Sequence, residues 1–279
     1  SGNIITSSSN LLTLKATATL SGGSTNSYIA GPIKKIGNST FKFPLGKGTD
    51  YRPVSITAPS NATDAFTAEY FNTVQTNGTA KDTSINYISE CNYWNVARTT
   101  GSSNVALTFN WYKSSCDVFD IDSTKLARWN GAKWVDGGLM NYNGNDSIGS
   151  VTTTVSLSTF GNFLFGHKLI PQLSYSYSAD TTIVPYSVII TNTSRGFKPG
   201  TQFYFNNGKF EQNSTSFVLF SSNRKVDIAY PLKKNYLVTQ MAIAGADTTI
   251  ISSRLILFPQ VASVSVNVFQ QDPLLLNPL

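Results

Sequence analysis

Histidine is nearly absent from this chain of 279 residues, where His167 stands alone. A Ser-His-Asp nucleophile needs an imidazole base against its hydroxyl, so a hydrolase of that kind has a single place to use. Cysteine occurs twice, at Cys91 and Cys116, with no CxxC and no Cys/His cluster, which argues against a dedicated zinc centre. Charged residues make up only 13% of the sequence. No apolar run approaches the roughly 20 residues that a membrane-spanning helix needs. A phosphate-binding glycine loop and a dinucleotide fingerprint are both missing. The chain is expected to carry no cofactor and no metal.

Ser and Thr are abundant, together 65 of the 279 residues, and aromatics reach 12%. Thr, Val, Tyr and Phe fit a pleated, half-buried surface, so this balance favours strands. A hydrophobic fraction of 41% is too high for a disordered chain. The expectation is an all-β, globular, secreted protein. Its net charge of +6 is spread over scattered pairs such as Lys34-Lys35, Arg224-Lys225 and Lys233-Lys234. Nucleic-acid binders concentrate such charge on one face, so no nucleic-acid partner is expected. An acidic polysaccharide stays open as a partner. In an oxidising compartment Cys91 and Cys116 would close a loop of about 25 residues, contributing on the order of 3 kcal/mol. The alternative is two separate buried thiols. The opening "SGNIITSSSN" and the closing "DPLLLNPL" read as the ends of a piece cut from something longer.

Period-two alternation recurs along the chain, while helical periodicity is hard to find. Leu12, Leu14, Ala16, Ala18 and Leu20 alternate with polar residues before the turn cluster "SGGSTNS". Short strands are expected at Tyr28–Ile36, Thr40–Leu45, Arg52–Ile56, Phe66–Phe71, Tyr93–Arg98, Val105–Tyr112, Lys125–Trp129, Lys133–Val135, Val151–Leu157 and Asn162–Phe165. Val105, Leu107, Phe109 and Trp111 should share one face. This spacing predicts a β-sandwich over 1–167, with a change of rhythm near Gly166–Gln172. Seven further strand candidates come after it: Leu173–Ser176, Ser187–Asn192, Gln202–Phe205, Ser216–Phe220, Val226–Tyr230, Tyr236–Ala244 and Ile250–Leu257. They predict an immunoglobulin-like sandwich over 168–260. The alternating "VASVSVNVF" (Val261–Phe269) makes 261–279 a terminal strand or linker, one that could add to the sheet edge of a neighbouring copy.

The stretch "YIAGPIKKIGNSTFKFPLGKGTDYRPVSITAP" (Tyr28–Pro59) resembles a region of large surface and secreted proteins of Bacteroidota. "DAFTAEYF", "YWNVAR", "LARWNGAKW" and "STFGNFLFG" come next in the order such proteins show, so the resemblance spans about residues 1–167. It implies export by the type nine secretion system and display on the bacterial cell surface or release. The sorting domain usual at their C-terminus is not evident here. "VPYSVIITNTSRGFKPGTQFYF" (Val184–Phe205) and "NYLVTQMAIAG" (Asn235–Gly245) resemble a PKD-like domain, an immunoglobulin-like spacer or adhesive unit. Its usual Gly-Asp-Gly turn is replaced by "NNGKF" (Asn206–Phe210), which puts an acidic or calcium-related role of that turn in doubt.

Several residues are candidates for chemistry or contact. Four tripeptides fit the short O-glycosylation pattern of Bacteroidota, which would modify Ser123, Ser147, Thr181 and Thr248. Six N-x-S/T sequons, at Asn38, Asn61, Asn77, Asn145, Asn192 and Asn213, suit surface turns. Asp64, Glu69 and Glu90 are carboxylates a glycosidase could use, but nothing marks a pair. The acids of "DVFDIDS" at 117, 120 and 122 lack the spacing of a dedicated calcium loop. Trp129 and Trp134 straddle Asn130-Gly131. With Gly131-Ala132 as the turn they face each other across a hairpin; with Asn130-Gly131, Trp134 faces Ala127. The pair is expected to pack, and an exposed coplanar platform for glycan contact is the other reading. Trp94 and Trp111 are expected in the core.

These features lead to a non-enzymatic cell-surface structural or adhesive module, a spacer that could assemble into a filament or repeat array. Its partners would be other surface modules or copies of itself. The alternative is a carbohydrate-binding accessory module of a secreted polysaccharide-degrading enzyme.

Overall fold

The structure is a computed structural model that describes residues 2–112, 120–180, 182, 184, 186–206, 218–219, 225–230, 236–243 and 249–256. Among these, the regular structure is strand throughout apart from one three-residue 3-10 turn, Ile121–Ser123. The chain divides into two compact units, Ser1–Leu169 and Ile170–Leu279. The division falls within the Gly166–Gln172 segment where the sequence changes rhythm. Val261–Phe269 and the rest of 261–279 lie outside the described residues.

Alternation builds the first unit. Along Leu107–Tyr112, Leu107, Phe109 and Trp111 are fully buried, and Thr108, Asn110 and Tyr112 are half-buried on the opposite side. This strand sits at the centre of a sheet ordered Met140–Gly144, Ile148–Thr153, Leu107–Tyr112, Val54–Ile56, Phe41–Phe43. A larger sheet runs Trp134–Asp136, Thr124–Trp129, Gly161–His167, Tyr93–Thr100, Ala65–Phe71, Ile33–Ile36, Leu12–Leu14, with Tyr87–Ile88 also paired to Gly161–His167. The apolar faces of both sheets supply one core. Trp94 lies at its heart, with its ring 5.1–5.5 Å from those of Phe165, Phe109 and Tyr70. Its indole N–H donates to the Arg52 carbonyl at 2.9 Å, which satisfies the only polar atom that this large buried side chain carries. Trp94 and Trp111 are thus core residues.

The expected strand Tyr28–Ile36 is two, Ile29–Ala30 and Ile33–Ile36, that expected at Val151–Leu157 is Ile148–Thr153, and two further patterns depart from the sequence expectation. The alternation from Leu12 to Leu20 makes a strand only over Leu12–Leu14, paired in parallel with Ile33–Ile36. Beyond it the chain curls around the ammonium of Lys35, which donates to the carbonyls of Lys15, Ala16 and Ala18 at 3.0, 3.1 and 2.7 Å. Lys35 is 2% exposed, and burial pushes its pKa down. The need to satisfy this buried cation with backbone oxygen overrides the strand pattern. Conversely Met140–Gly144, the short and mostly exposed run "MNYNG", is held as a strand by pairing with Ile148–Thr153.

A buried carboxylate organises one loop end of the sandwich. Asp64 accepts the Ser103 N–H at 2.8 Å and sits where a Cβ on Gly101, at φ +85°, would fall 1.8 Å from its Oδ1. Bonds from the Ser103 hydroxyl, then the Ser103 and Ser102 amides and Asn61, hold its pKa below the ordinary range. A carboxyl whose folded pKa is depressed stabilises above its unfolded value and loses that contribution as pH falls through the folded one. Acid titrations should therefore show stability declining below the ordinary value near 3.8, with the Asp64→Asn variant losing that part of the decline. Equal acid sensitivity in the variant would contradict this role.

The second unit has seven strands among the described residues: Tyr175–Asp180, Tyr186–Asn192, Gln202–Asn206, Val218–Leu219, Lys225–Tyr230, Tyr236–Ile243 and Thr249–Ile256. The first, second and fifth form one antiparallel sheet, and the fourth, third, sixth and seventh the other. Two small antiparallel sheets exchanging strands in this order make an all-β sandwich. Tyr175, Val188 and Ile190 from one sheet pack on Phe205, Tyr236 and Val238 from the other. Gln240 links the sheets as well, its Nε2 donating to Asn192 Oδ1 at 2.9 Å and Ser194 Oγ at 3.0 Å.

Candidate functional site

The tryptophan hairpin takes the first of its two readings. Trp129 pairs directly with Trp134, and Gly131 stands at φ +100° in the turn. Asn130 Oδ1 accepts from the N–H groups of Ala132 and Lys133 at 3.0 and 2.9 Å, which closes the loop. Trp134 is fully buried and packs with Ile85, Ile88, Ala127 and Leu164 beneath the chain entering Tyr87–Ile88. Its indole N–H donates to the Gly78 carbonyl at 3.0 Å, and its backbone N–H to Ala80 at 2.8 Å. Trp129 is half-buried, with its ring 5.4 Å from that of Trp134 and tilted by 59°. Glycan contact through this pair is therefore corrected: Trp134 has no exposed face, and the two rings are not coplanar.

His167 closes the last strand of the first unit and is fully buried. Its Nδ1 lies 3.2 Å from Ser123 Oγ and 3.4 Å from Thr124 Oγ1. Both hydroxyls give their single proton to the Asp120 carbonyl, at 3.1 and 2.8 Å. They can then only accept from the ring, so Nδ1 carries the proton and donates. Nδ1 therefore cannot take a proton from either hydroxyl. This histidine fastens a strand end to a turn.

The chain just beyond His167 is held from both sides. His167 is in register with Tyr87 on one flank and Thr124 on the other. The Lys168 N–H donates to Ser123 O at 2.9 Å, and the Asn86 N–H to His167 O at 2.9 Å. The Asn86 side chain then behaves like one more peptide unit: its Oδ1 accepts the Leu169 N–H at 2.7 Å and its Nδ2 donates to the Leu169 carbonyl at 2.8 Å. The sequence carries no signal for this pairing of residues 83 apart. Asn86→Ala removes both bonds and should cost about 1–2 kcal/mol in urea unfolding. A variant as stable as the parent would show the clamp to be idle.

Cys91 is disulfide-bonded; the one other cysteine, Cys116, lies outside the described residues, as does Asp117. Ser123 is half-buried with its hydroxyl engaged as above, whereas Ser147 is exposed in the turn that Asn145 caps. Thr181 and Thr248 fall outside the described residues. No group of three His, Cys, Asp or Glu residues suited to a metal occurs among the described residues.

The outer face of the larger sheet, turned away from the main core, gathers a different set of groups. Thr67, Glu69 and Phe71 alternate onto it from one strand, and Ala97, Asn95 and Tyr93 stand directly opposite. Phe71 and Tyr93 stack at 4.5 Å and 6°, with the Lys47 ammonium 5.7 Å from the Phe71 ring centre. Asn95 Nδ2 donates to Asn162 Oδ1 at 2.7 Å, and Asn162 Nδ2 to Asn77 Oδ1 at 2.6 Å. Glu69 is half-buried and makes no ion pair or hydrogen bond among the described residues. Burial pushes its carboxyl above the ordinary range, against the pull of Lys47. The Tyr93 phenol is raised too, by burial and then by Glu69. The Thr67 hydroxyl is buried without a partner. The alternation in "DAFTAEYF" and "YWNVAR" marks these residues as neighbours on a face; only the strand pairing brings the two runs together.

Comparison with protein-family models, curated proteins and solved structures finds no match to this chain. Geometry alone bears on its function. Asp64 is committed to a loop, His167 to a strand end, and Glu90 is exposed. Hydrolysis between two carboxylates requires a facing pair. Glu69 has no second carboxylate among its same-face neighbours Thr67, Phe71, Tyr93, Asn95 and Ala97.

Proposed function

We propose that the chain is a non-enzymatic, extracellular structural or adhesive module of a bacterial surface protein, in which the first unit bears tension carried along the chain. The observation that carries this reading is the exit of the first unit. Gly161–His167 is a central strand, paired on one flank with Thr124–Trp129 and on the other with Tyr93–Thr100 and Tyr87–Ile88. Inter-strand hydrogen bonds lie across the strands. A pull on residue 169 thus loads bonds on both flanks together, whereas a pull on an edge strand opens them one at a time. The Asn86 clamp adds two more bonds where the force enters.

Two further observations support an extracellular setting. A disulfide persists in oxidising compartments and is rare in the cytosol, and Cys91 is in one. The described second unit is a two-sheet all-β sandwich, in keeping with the PKD-like resemblance. The carbohydrate-binding reading loses the support it drew from Trp129 and Trp134. Protease shaving of intact source cells tests the proposal: peptides of this chain should be released with Cys91 oxidised. Recovery only from the lysate, with a free Cys91 thiol, would overturn it.

A further inference from the structure

We infer that the half-buried row around Glu69 and Asn95 on the outer face of the larger sheet is a binding site for a neutral polyhydroxy ligand, a pyranose unit of a glycan. The inference stands on this face alone and holds whether or not the module bears tension.

Acceptors without donors define the site. Asn95 gives its amide nitrogen to Asn162, which is itself tied to Asn77, so the amide is fixed and its oxygen is left at the free end of the relay. Glu69 stands directly opposite Asn95, close enough across a sheet for one ligand to reach both. Its carboxylate, like the buried Thr67 hydroxyl two residues away, has no partner among the described residues. Glu69 and Asn95 are both half-buried, and neither is among the buried side chains left without a partner, so their acceptor oxygens stay within reach of a ligand's hydroxyls.

Charge selects among donors. A cationic ligand would meet Lys47 beside Phe71 and Lys34 opposite Thr67, on a chain of net charge +6. An anionic ligand would meet Glu69. A neutral diol satisfies both signs: one hydroxyl donates to Glu69, its neighbour donates to Asn95 Oδ1, and its oxygens can accept from Lys47. The stacked Phe71 and Tyr93 rings stand as an apolar wall at the end of this row, suited to the C–H surface of a sugar ring. Because Lys47 already caps Phe71, the rings act as a wall and not as a stacking platform.

The test uses the full chain with soluble neutral β-glucan, mannan and xylan, and a polyuronate as the anionic control, in affinity electrophoresis and calorimetry. The wild type should bind at least one neutral glycan and leave the polyuronate unbound. Glu69→Gln and Asn95→Ala should each weaken that binding roughly tenfold or more, the loss of one charge-assisted or fixed acceptor. Glu69→Gln should keep an unchanged or higher Tm, since it removes a desolvated charge while preserving shape. That combination separates a ligand-binding residue from a structural one. Failure to bind any of the three neutral glycans, preference for the polyuronate, or wild-type affinity in both variants would each overturn the inference.

Discussion

Trp134→Ala is expected to destabilise the first unit by about 3–5 kcal/mol, the cost of emptying a large buried aromatic site. Trp129→Ala should cost only about 1 kcal/mol, the scale of one cross-strand aromatic pair. The asymmetry comes from position. Trp134 is fully buried under the Tyr87–Ile88 region and hydrogen-bonded to Gly78, while its neighbour is half-exposed at the hairpin. Truncating Trp134 would also leave the Gly78 carbonyl with the Gln75 amide alone as its side-chain donor and loosen the segment that carries Asn86. All four tryptophans, Trp94, Trp111, Trp129 and Trp134, lie in the first unit. Tryptophan fluorescence in a urea titration of the full chain therefore reports on that unit alone. Equal costs for the two substitutions would mean that the hairpin, and not the burial of one ring, is what matters.

Reduction of the disulfide should lower the stability of the same unit by about 3 kcal/mol, the loop-closure entropy of some 25 residues in the unfolded chain. Cys91 lies between Tyr87–Ile88, which flanks the exit strand, and Tyr93–Thr100, which neighbours it. The cross-link thus constrains the part of the chain on which the exit depends. The urea midpoint with and without reductant, and in Cys91→Ser, measures it. An unchanged midpoint would show that the bond adds nothing beyond the native contacts.

Much of the fold is legible in the sequence because a strand buried on one face imposes a period of two. "NVALTFNW" places four apolar residues on one side, and all four are fully buried. The seven strand candidates of the second half each overlap an observed strand for the same reason. Legibility fails where partners from distant parts of the chain decide. The carbonyl cage around Lys35 ends the strand after Leu14 although the alternation runs on to Leu20, and the short run "MNYNG" is secured as a strand by its pairing with Ile148–Thr153. The site obeys the same rule. The sequence shows Glu69 as an acid on an alternating run, but its opposition to Asn95 and the Asn95–Asn162–Asn77 relay come from strand register. Asn86 reads as an ordinary turn residue until Leu169 is brought beside it. Trp129 and Trp134 look equivalent in sequence. They differ because the chain around Gly78 and Ala80 covers only Trp134.

Single-molecule pulling of the first unit within the full chain, with handles at residues 2 and 169, is the most direct measurement of the tension-bearing role. The predicted result is one cooperative unfolding event. Its force should exceed that found with handles at residues 122 and 169, which pull on neighbouring ends of adjacent antiparallel strands, and should fall in Asn86→Ala. Gradual low-force peeling of residues 161–169 from the sheet, with Asn86→Ala behaving like the parent, would contradict it.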